Sequence, residues 1–561
     1  MAKNGTTMPS TYEMDDLKVD NSEGSYTDAN INNSPGGVVA RHEKLSPIEH
    51  DDRVLTRLGK VPVLKRNFAF MSMLGFTCTV MNTWEGELQL FLQSFENGGS
   101  AGSIYGYIVV WIGTLCVFAT MGELASMAPT SGGQYHWVYM LSPRNCRKFL
   151  SYFVGWLAVI GWQSAVAGVA YLSGALIQGV AVMGNPSYEP TAWQKTLLLW
   201  ASLAFAVFIN TVVSSALPKV EGFVLILHVV GFFAVLVPLV YLSPHRNAEQ
   251  VFTEFMNGGG WQTQGLSFFI GIIAAVFNFL GADGAVHMSE EILNADIIVP
   301  RAMVFSVLLN GALGFGILIA ILFCLGDVDM ALASPTGFPF MTIFEQGVGS
   351  VPGAQTMASI LVILMLCGTV SVVASASRMT WSFARDRGLP GWVHISKVDP
   401  RTSIPIFSVA VTTTISVLLA LINIGSSTAF NIIVSLTING FYGTYFVGNS
   451  LILWRRITGQ IRPYNRGETG LTNISHDNLS WGPTRIPEPL GTIVNAFGCV
   501  YLLIVLFFSF WPTVINPTPD TMNWSSLLFG VTLIFSIVYY VVWAKKVYSG
   551  PVLEIDQAVS A

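Results

Sequence analysis

From residue 67 onward, apolar runs long enough to cross a bilayer alternate with short polar connections. A spanning helix needs about 20 residues. About twelve segments qualify: 67–95, 103–128, 149–182, 193–215, 217–242, 264–292, 301–325, 353–384, 405–423, 428–453, 488–511 and 523–544. The pattern predicts an all-α integral membrane protein with about 12 transmembrane helices. Two runs are interrupted alike. Thr83-Trp84-Glu85-Gly86 puts a carboxylate and a glycine inside the first run, and Gly281-Ala282-Asp283-Gly284 does so in the sixth. Counted from the polar starts Asn67 and Gly265, Glu85 and Asp283 each fall 18 residues in. A charge at that depth is costly and marks function. Paired interruptions at matching depth predict a secondary transporter of two structural repeats, with helices broken around a midplane site.

Residues 1–60 are rich in Ser, Asn, Asp, Thr and Gly, too polar to bury a core, and are expected to form a disordered cytoplasmic tail. That stretch and the residues up to 66 contain no apolar signal-peptide core, so the first span is expected to direct insertion. Basic residues sort to one side of the membrane: Arg144, Arg147, Lys148, Lys219, Arg301, Arg385, Arg387, Lys397, Arg401, Arg455, Arg456, Lys545 and Lys546 share the side of the N-terminal cluster. Arg246 and Lys195 fall opposite. Basic loops stay inside, so both termini are expected in the cytoplasm. Residues 327–349 are too polar to span and predict a partly helical lid outside. The 456–487 connection, with Asn, Gly and Pro throughout, is expected to be a flexible cytoplasmic loop, and 548–561 a C-terminal tail.

Composition agrees with a membrane protein: 52% hydrophobic, 11% charged, mean hydropathy +0.56, against roughly 25% charged residues in soluble domains. A net charge of -5 without a basic, aromatic-interleaved patch gives no nucleic-acid footprint. The six cysteines, Cys78, Cys116, Cys146, Cys324, Cys367 and Cys499, lack CxxC spacing, and the eight histidines form no HExxH pair. Neither a metal nor a cofactor is expected, and an integral-membrane enzyme is disfavoured. A nutrient sensor on a permease scaffold would be expected to carry a longer cytoplasmic domain, and a channel does not call for discontinuous helices.

The connection Met121-Gly-Glu-Leu-Ala-Ser-Met-Ala-Pro-Thr-Ser-Gly-Gly-Gln-Tyr-His-Trp137 resembles a signature of the amino acid, polyamine and organocation transporter superfamily. Phe279-Leu-Gly-Ala-Asp-Gly284, continuing through Ser289-Glu-Glu-Ile-Leu-Asn294 and Val299-Pro-Arg301, is similar to that superfamily's broken sixth helix. Ser377 to Pro390 resembles its loop after span 8. Asn82-Thr83-Trp84 and the Asp-Arg-Gly-Leu-Pro run are most similar to fungal choline and gamma-aminobutyrate permeases. The resemblance covers roughly residues 60–455. It implies a leucine-transporter-type fold with a 61–455 core of 5+5 inverted repeats (67–242 and 264–453), and two extra helices over 488–547. It also implies a small amine or amino acid as substrate and protons as the coupling ion.

The broken helices would expose free N–H groups at one end and free carbonyls at the other, suited to a zwitterion. The segment Thr83, Trp84, Glu85, Gly86, with amides near Gly86 and Glu87, is the candidate for a substrate carboxylate, and the carbonyls of Asn278, Phe279 and Leu280 for an ammonium. Gly281 gives the second break. Glu85 departs from the superfamily's small-residue break. It either favours a cationic head and proton coupling or pairs with a neighbouring span, and Asp283 takes the same two readings. Trp84, Phe277 and Phe279 offer cation-π faces or simple packing, Phe277 matching an aromatic gate by family position. His228 sits where some proton-coupled relatives carry a lysine; it either relays a proton or is a satisfied core histidine. His287 is close to Asp283 in sequence and suited to local pairing. Glu123, Glu290 and Glu291 read as gate residues, with Arg144, Arg378 or Arg385 as partners. The expected function is proton-coupled transport of gamma-aminobutyrate, another amino acid or choline, at the plasma membrane or a vacuolar one. Export of a nitrogenous secondary metabolite such as an alkaloid is the alternative.

Overall fold

The computed structural model describes residues 46–554 apart from 186, 426–428, 468–469 and 520. Among these, helices account for the architecture, and the β pairings are two isolated bridges, Phe68 with Ile292 and Arg462 with Ser480. Helix α1 (Pro47–Arg57) starts at Ser46, which exchanges hydrogen bonds with Glu49 in a capping box. Helices α2 (Phe70–Met81) and α3 (Thr83–Met127) are separated by Asn82 alone, left-handed at φ 44°. At 45 residues, α3 is roughly 68 Å long, over twice the ~30 Å hydrocarbon core, and it turns at Gly99 (φ 68°). A side chain at Gly99 would strike the backbone of residues 254–256, so glycine is required there.

Then follow α4 (Gln134–Leu141), α5 (Arg147–Gly184), α6 (Ala192–Thr211), α7 (Leu217–Leu242), short α8 (Ala248–Thr253), α9 (Gln264–Asn278) and one-turn α10 (Gly284–His287). After α11 (Ala295–Phe323), α12 (Val328–Leu332) and α13 (Pro339–Val348) form the helical connection expected over 327–349. The chain continues with α14 (Val351–Arg385), α15 (Trp392–Ile395), α16 (Ile406–Gly425), α17 (Ala429–Ile457), α18 (Leu490–Phe508) and α19 (Ser525–Tyr539).

Nine of the described helical runs are long and apolar enough to cross a membrane; the 58-residue run Phe70–Met127 holds the first two expected spans. The protein is therefore an integral, multi-pass membrane protein. Helix α9, with 15 residues, reaches only about 22 Å and stops at the second break. Helix α3 packs on α9 and α11, α5 on α14 and α17, and α2 on α7. The most apolar stretch of α5 is 78% buried and that of α19 only 11%. Helix α5 is thus interior, while α19 faces lipid.

Both described ends meet on one face, here the terminal face. Most of the expected tail lies outside the described residues, but 46–60 form α1 and its exit instead of disordered chain. Asp51 caps α11, accepting from the Asn294 and Ala295 amides at 2.8 and 3.2 Å, and His50 Nε2 lies 3.1 Å from Asp296 Oδ2. Lys60 Nζ donates to Asp386 Oδ1 at 2.7 Å, and the Val552 amide donates to the same carboxylate. Burial pushes the Asp386 carboxyl up, but the charges of Lys60 and Arg385 outweigh it and hold it below the ordinary range. The Glu554 amide donates to Gly59 O and the Val61 amide to Glu554 Oε2, so the two ends hold each other. The 456–487 connection, expected to be flexible, is docked: Asn473 Nδ2 donates to Met127 O at 2.8 Å and the Thr484 amide to Ser126 Oγ at 2.9 Å.

The hydrogen bond that His50 donates to Asp296, opposed by burial, raises the His50 pKa above 6.5. A raised value favours the protonated form when folded. The stabilisation is therefore whole below 6.5 and is lost as pH rises through the raised value. His50→Asn should lower the thermal unfolding midpoint of the purified protein below pH about 6.5, with the gap to wild type closing as pH rises. A gap independent of pH would contradict this.

Candidate functional site

The breaks in α2–α3 and α9–α10 face each other across a small cavity of about 40 Å³. Met81, Asn82 and Gly86 line it from the first break, and Phe277, Asn278, Leu280 and Gly281 from the second. Trp162, Ala165 and Val169 of α5, Met365 and Val372 of α14, and Thr437 and Phe441 of α17 close it. Gly281 has φ 94°, where glycine is favoured, and a side chain there would meet Val80. Gly86 is equally constrained, because a side chain on it would meet the Asn278 amide. The cavity lies far below the roughly 300 Å³ of a ligand pocket, so side chains must part to admit a solute.

The expected site residues divide cleanly. Gly86, Phe277, Asn278 and Gly281 line the cavity; Thr83, Trp84, Glu85, Phe279 and Asp283 do not. The first break also lies earlier than expected. The left-handed residue is Asn82, and Gly86 N–H already donates to Asn82 O at 2.8 Å, so Glu85 and Gly86 are helical. The amides that a helix start leaves free are therefore those of Thr83, Trp84 and Glu85, one turn before those expected. Trp84 packs 6.0 Å from His228 and 5.9 Å from Phe232, and Phe279 lies 5.1 Å from Tyr107. Both rings serve helix contacts, so of the three expected aromatic residues Phe277 alone lines the cavity, beside Trp162 and Phe441.

Glu85 is paired with a neighbouring span. Asn310 Nδ2 donates to Cys78 O, which turns its Oδ1 toward His228 Nε2 at 2.8 Å, so that nitrogen carries the hydrogen. His228 Nδ1 then faces Glu85 Oε1 at 2.7 Å. Two lone pairs do not share that distance, so one proton lies between them: a carboxylic acid donating to imidazole, or an imidazolium donating to carboxylate. Either way the pair is neutral, and its proton is shared by two helices inside the apolar core. Asp283 accepts from Gln134 Nε2 and from the Tyr445 hydroxyl, each at 2.6 Å. His287 accepts from Trp162 Nε1 on Nε2 and donates from Nδ1 to Ser131 O, so it is neutral, and its 3.8 Å approach to Asp283 is no ion pair.

Three polar side chains have no role assigned from the sequence, although Asn82 belongs to the permease-like run and the Glu87 amide is among the expected donors. Asn82 lines the cavity at 4% exposure with neither amide atom partnered among the described residues. Its Nδ2 lies against Gly368 of α14, where any side chain would strike it, and a buried amide without partners beside a cavity can still take a hydrogen bond from or give one to a solute. Glu87, buried, accepts from Asn278 Nδ2 at 2.9 Å and sets a carboxyl behind the cavity wall. Glu221 of α7, buried, accepts from Ser371 Oγ at 2.7 Å, and its second oxygen is unpartnered. A larger cavity of about 590 Å³, sharing Leu172 with the first, is lined by Gln89 and Gln93 of α3, Tyr171 of α5 and residues 335–339. At the terminal face Glu290 is gripped by both terminal nitrogens of Arg385, Glu291 by Arg378, and Glu123 by Arg456; Arg144 pairs with Asp477 instead. All six cysteines are free.

A match to the amino acid permease family model spans residues 68–535. The chain belongs to that family, within the amino acid, polyamine and organocation superfamily, and it is a membrane transporter rather than an enzyme. It is 27% identical to a choline transporter of Saccharomyces cerevisiae, over 94% of this chain and 91% of that one. Amino-acid permease 2 of Neurospora crassa is 24% identical, covering 94% and 93%. A transmembrane transporter of Metarhizium robertsii is 28% identical, covering 91% and 98%. The family implies an amino acid or amine as substrate and the bilayer as setting.

Tyr445→Phe removes one of two donors from the buried Asp283 carboxyl and should destabilise the protein by about 2 kcal/mol. Thermal unfolding of the purified variant reads this. Combined with Gln134→Leu, the loss should depart from the sum of the two, because both act on one carboxyl.

Proposed function

We propose that the chain is a proton-coupled plasma-membrane transporter of gamma-aminobutyrate, a related amino acid or choline, with both termini in the cytoplasm. The observation that carries this reading is the unpartnered Asn82 amide at the junction of the two breaks, opposite Phe277 and Asn278. The carbonyls ending α9 suit an ammonium or quaternary head, and the free amides at the start of α3, just outside the lining, suit a carboxylate once the walls part to admit it. Glu87 behind Asn278 adds negative potential favouring that head, and Phe277 offers it a ring face. Coupling is assigned to the shared proton of Glu85 and His228, whose transfer would loosen α3 from α7 and α11. The likeness to a choline transporter supports the amine end of the substrate range. Basic residues concentrated on the terminal face support its cytoplasmic placement.

Labelled gamma-aminobutyrate and choline should be offered to permease-deficient yeast expressing the chain, at pH about 5 and about 7.5. Entry of one of them should be faster at the acid pH. Glu85→Gln should abolish that acceleration, and Asn82→Ala should raise KM roughly tenfold or more, as expected for an orphaned polar contact. No entry of either substrate, with the protein confirmed at the cell surface, would overturn the uptake reading. Entry indifferent to both pH and Glu85→Gln would overturn the coupling.

A further inference from the structure

Away from the transport path, a cavity of about 520 Å³ opens on the terminal face. Three guanidinium groups line it, Arg144, Arg147 and Arg387, against one carboxylate, Asp477. Burial and the nearby charge of Lys60 push His136, also in the lining, down to about 4, so it is neutral near pH 7 and adds no competing acid. Arg147 lies 4.9 Å from the centre of the Tyr139 ring and Arg387 5.1 Å from that of Trp392. Neither has a carboxylate partner among the described residues. A guanidinium resting over a ring gives up none of its N–H donors to it, and those donors suit phosphate oxygens. Among the described residues Arg144 pairs only with Asp477, which His476 also faces at 3.1 Å, and both members of the Arg144 pair are well exposed, at 73% and 51%. Such a pair yields readily to a better anion. Arg387 also has φ 64°, a left-handed conformation that a long side chain adopts only at a cost, and such strain collects at functional positions.

We propose that this cavity binds a phosphate-bearing anion, from either an inositol-phosphate lipid headgroup of the adjoining leaflet or the free anion. Leu58 and residues 551–553 complete the lining, so an occupant also touches both ends of the chain where they hold each other. Binding therefore tightens the terminal face.

The full-length protein in phosphatidylcholine nanodiscs would be compared with protein in nanodiscs containing phosphatidylinositol phosphate, and would be titrated separately with inositol bisphosphate and with inorganic phosphate. The thermal unfolding midpoint is the readout. Stabilisation by the phosphoinositide and by inositol bisphosphate assigns the site to the lipid headgroup; stabilisation by the soluble anions alone assigns it to the free anion. Arg147→Gln with Arg387→Gln should weaken the response about thirtyfold, from about 1 kcal/mol for each basic residue near an anionic surface. If that pair fails to fold, Arg147→Lys with Arg387→Lys keeps both charges while removing the stacked fork, and should still weaken binding severalfold. Lys545→Gln with Lys546→Gln, on the same face but outside the lining, should change nothing. No stabilisation of the wild type by any probe, or equal weakening by the lysine pair, would overturn the proposal.

Discussion

A bilayer offers no partners to polar atoms, and this constraint governs the whole molecule. Where α2 gives way to α3 and α9 to α10, backbone and side-chain polar atoms lose their helical partners inside the apolar core. The surrounding helices supply replacements: Asn310 and His228 for Glu85, Gln134 and Tyr445 for Asp283, and Asn278 for Glu87. The remainder, Asn82 above all, has no partner among the described residues and is left to whatever enters the cavity.

Two faces of the protein differ accordingly. On the terminal face, ion pairs of Glu290, Glu291, Glu123 and Asp386 with their cations are stacked beneath the breaks and seal the core. The larger cavity adjoins the small one at Leu172 and is bordered by the 335–339 connection, from the part of the chain expected outside.

The breaks were legible because acid and glycine in an apolar run are locally visible, and Phe277, Asn278 and Gly281 follow from where α9 stops. What was not legible depends on distant partners. Glu85 reads equally as a contact for a cationic head or as the partner of a neighbouring span, because His228, 143 positions away, cannot be placed beside it from the sequence. Asn82 reads as an ordinary polar residue until its left-handed backbone sets it at the break, in the cavity wall. The cap that Asp51 places on α11 spans 243 positions, so a polar stretch that looked unable to fold was in fact completed by another helix.

The contact between the two ends has a consequence in time. Gly59 and Val61 are made early, whereas their partner Glu554 leaves the ribosome only after every spanning helix has been synthesised. Domains generally order from the N-terminus as the chain emerges, yet this face cannot close in that sequence. It must wait with α1 undocked from its last partner. A chain that stopped short of Glu554 would reach the membrane without these two bonds, and the exit of α1 would stay unfastened on that face.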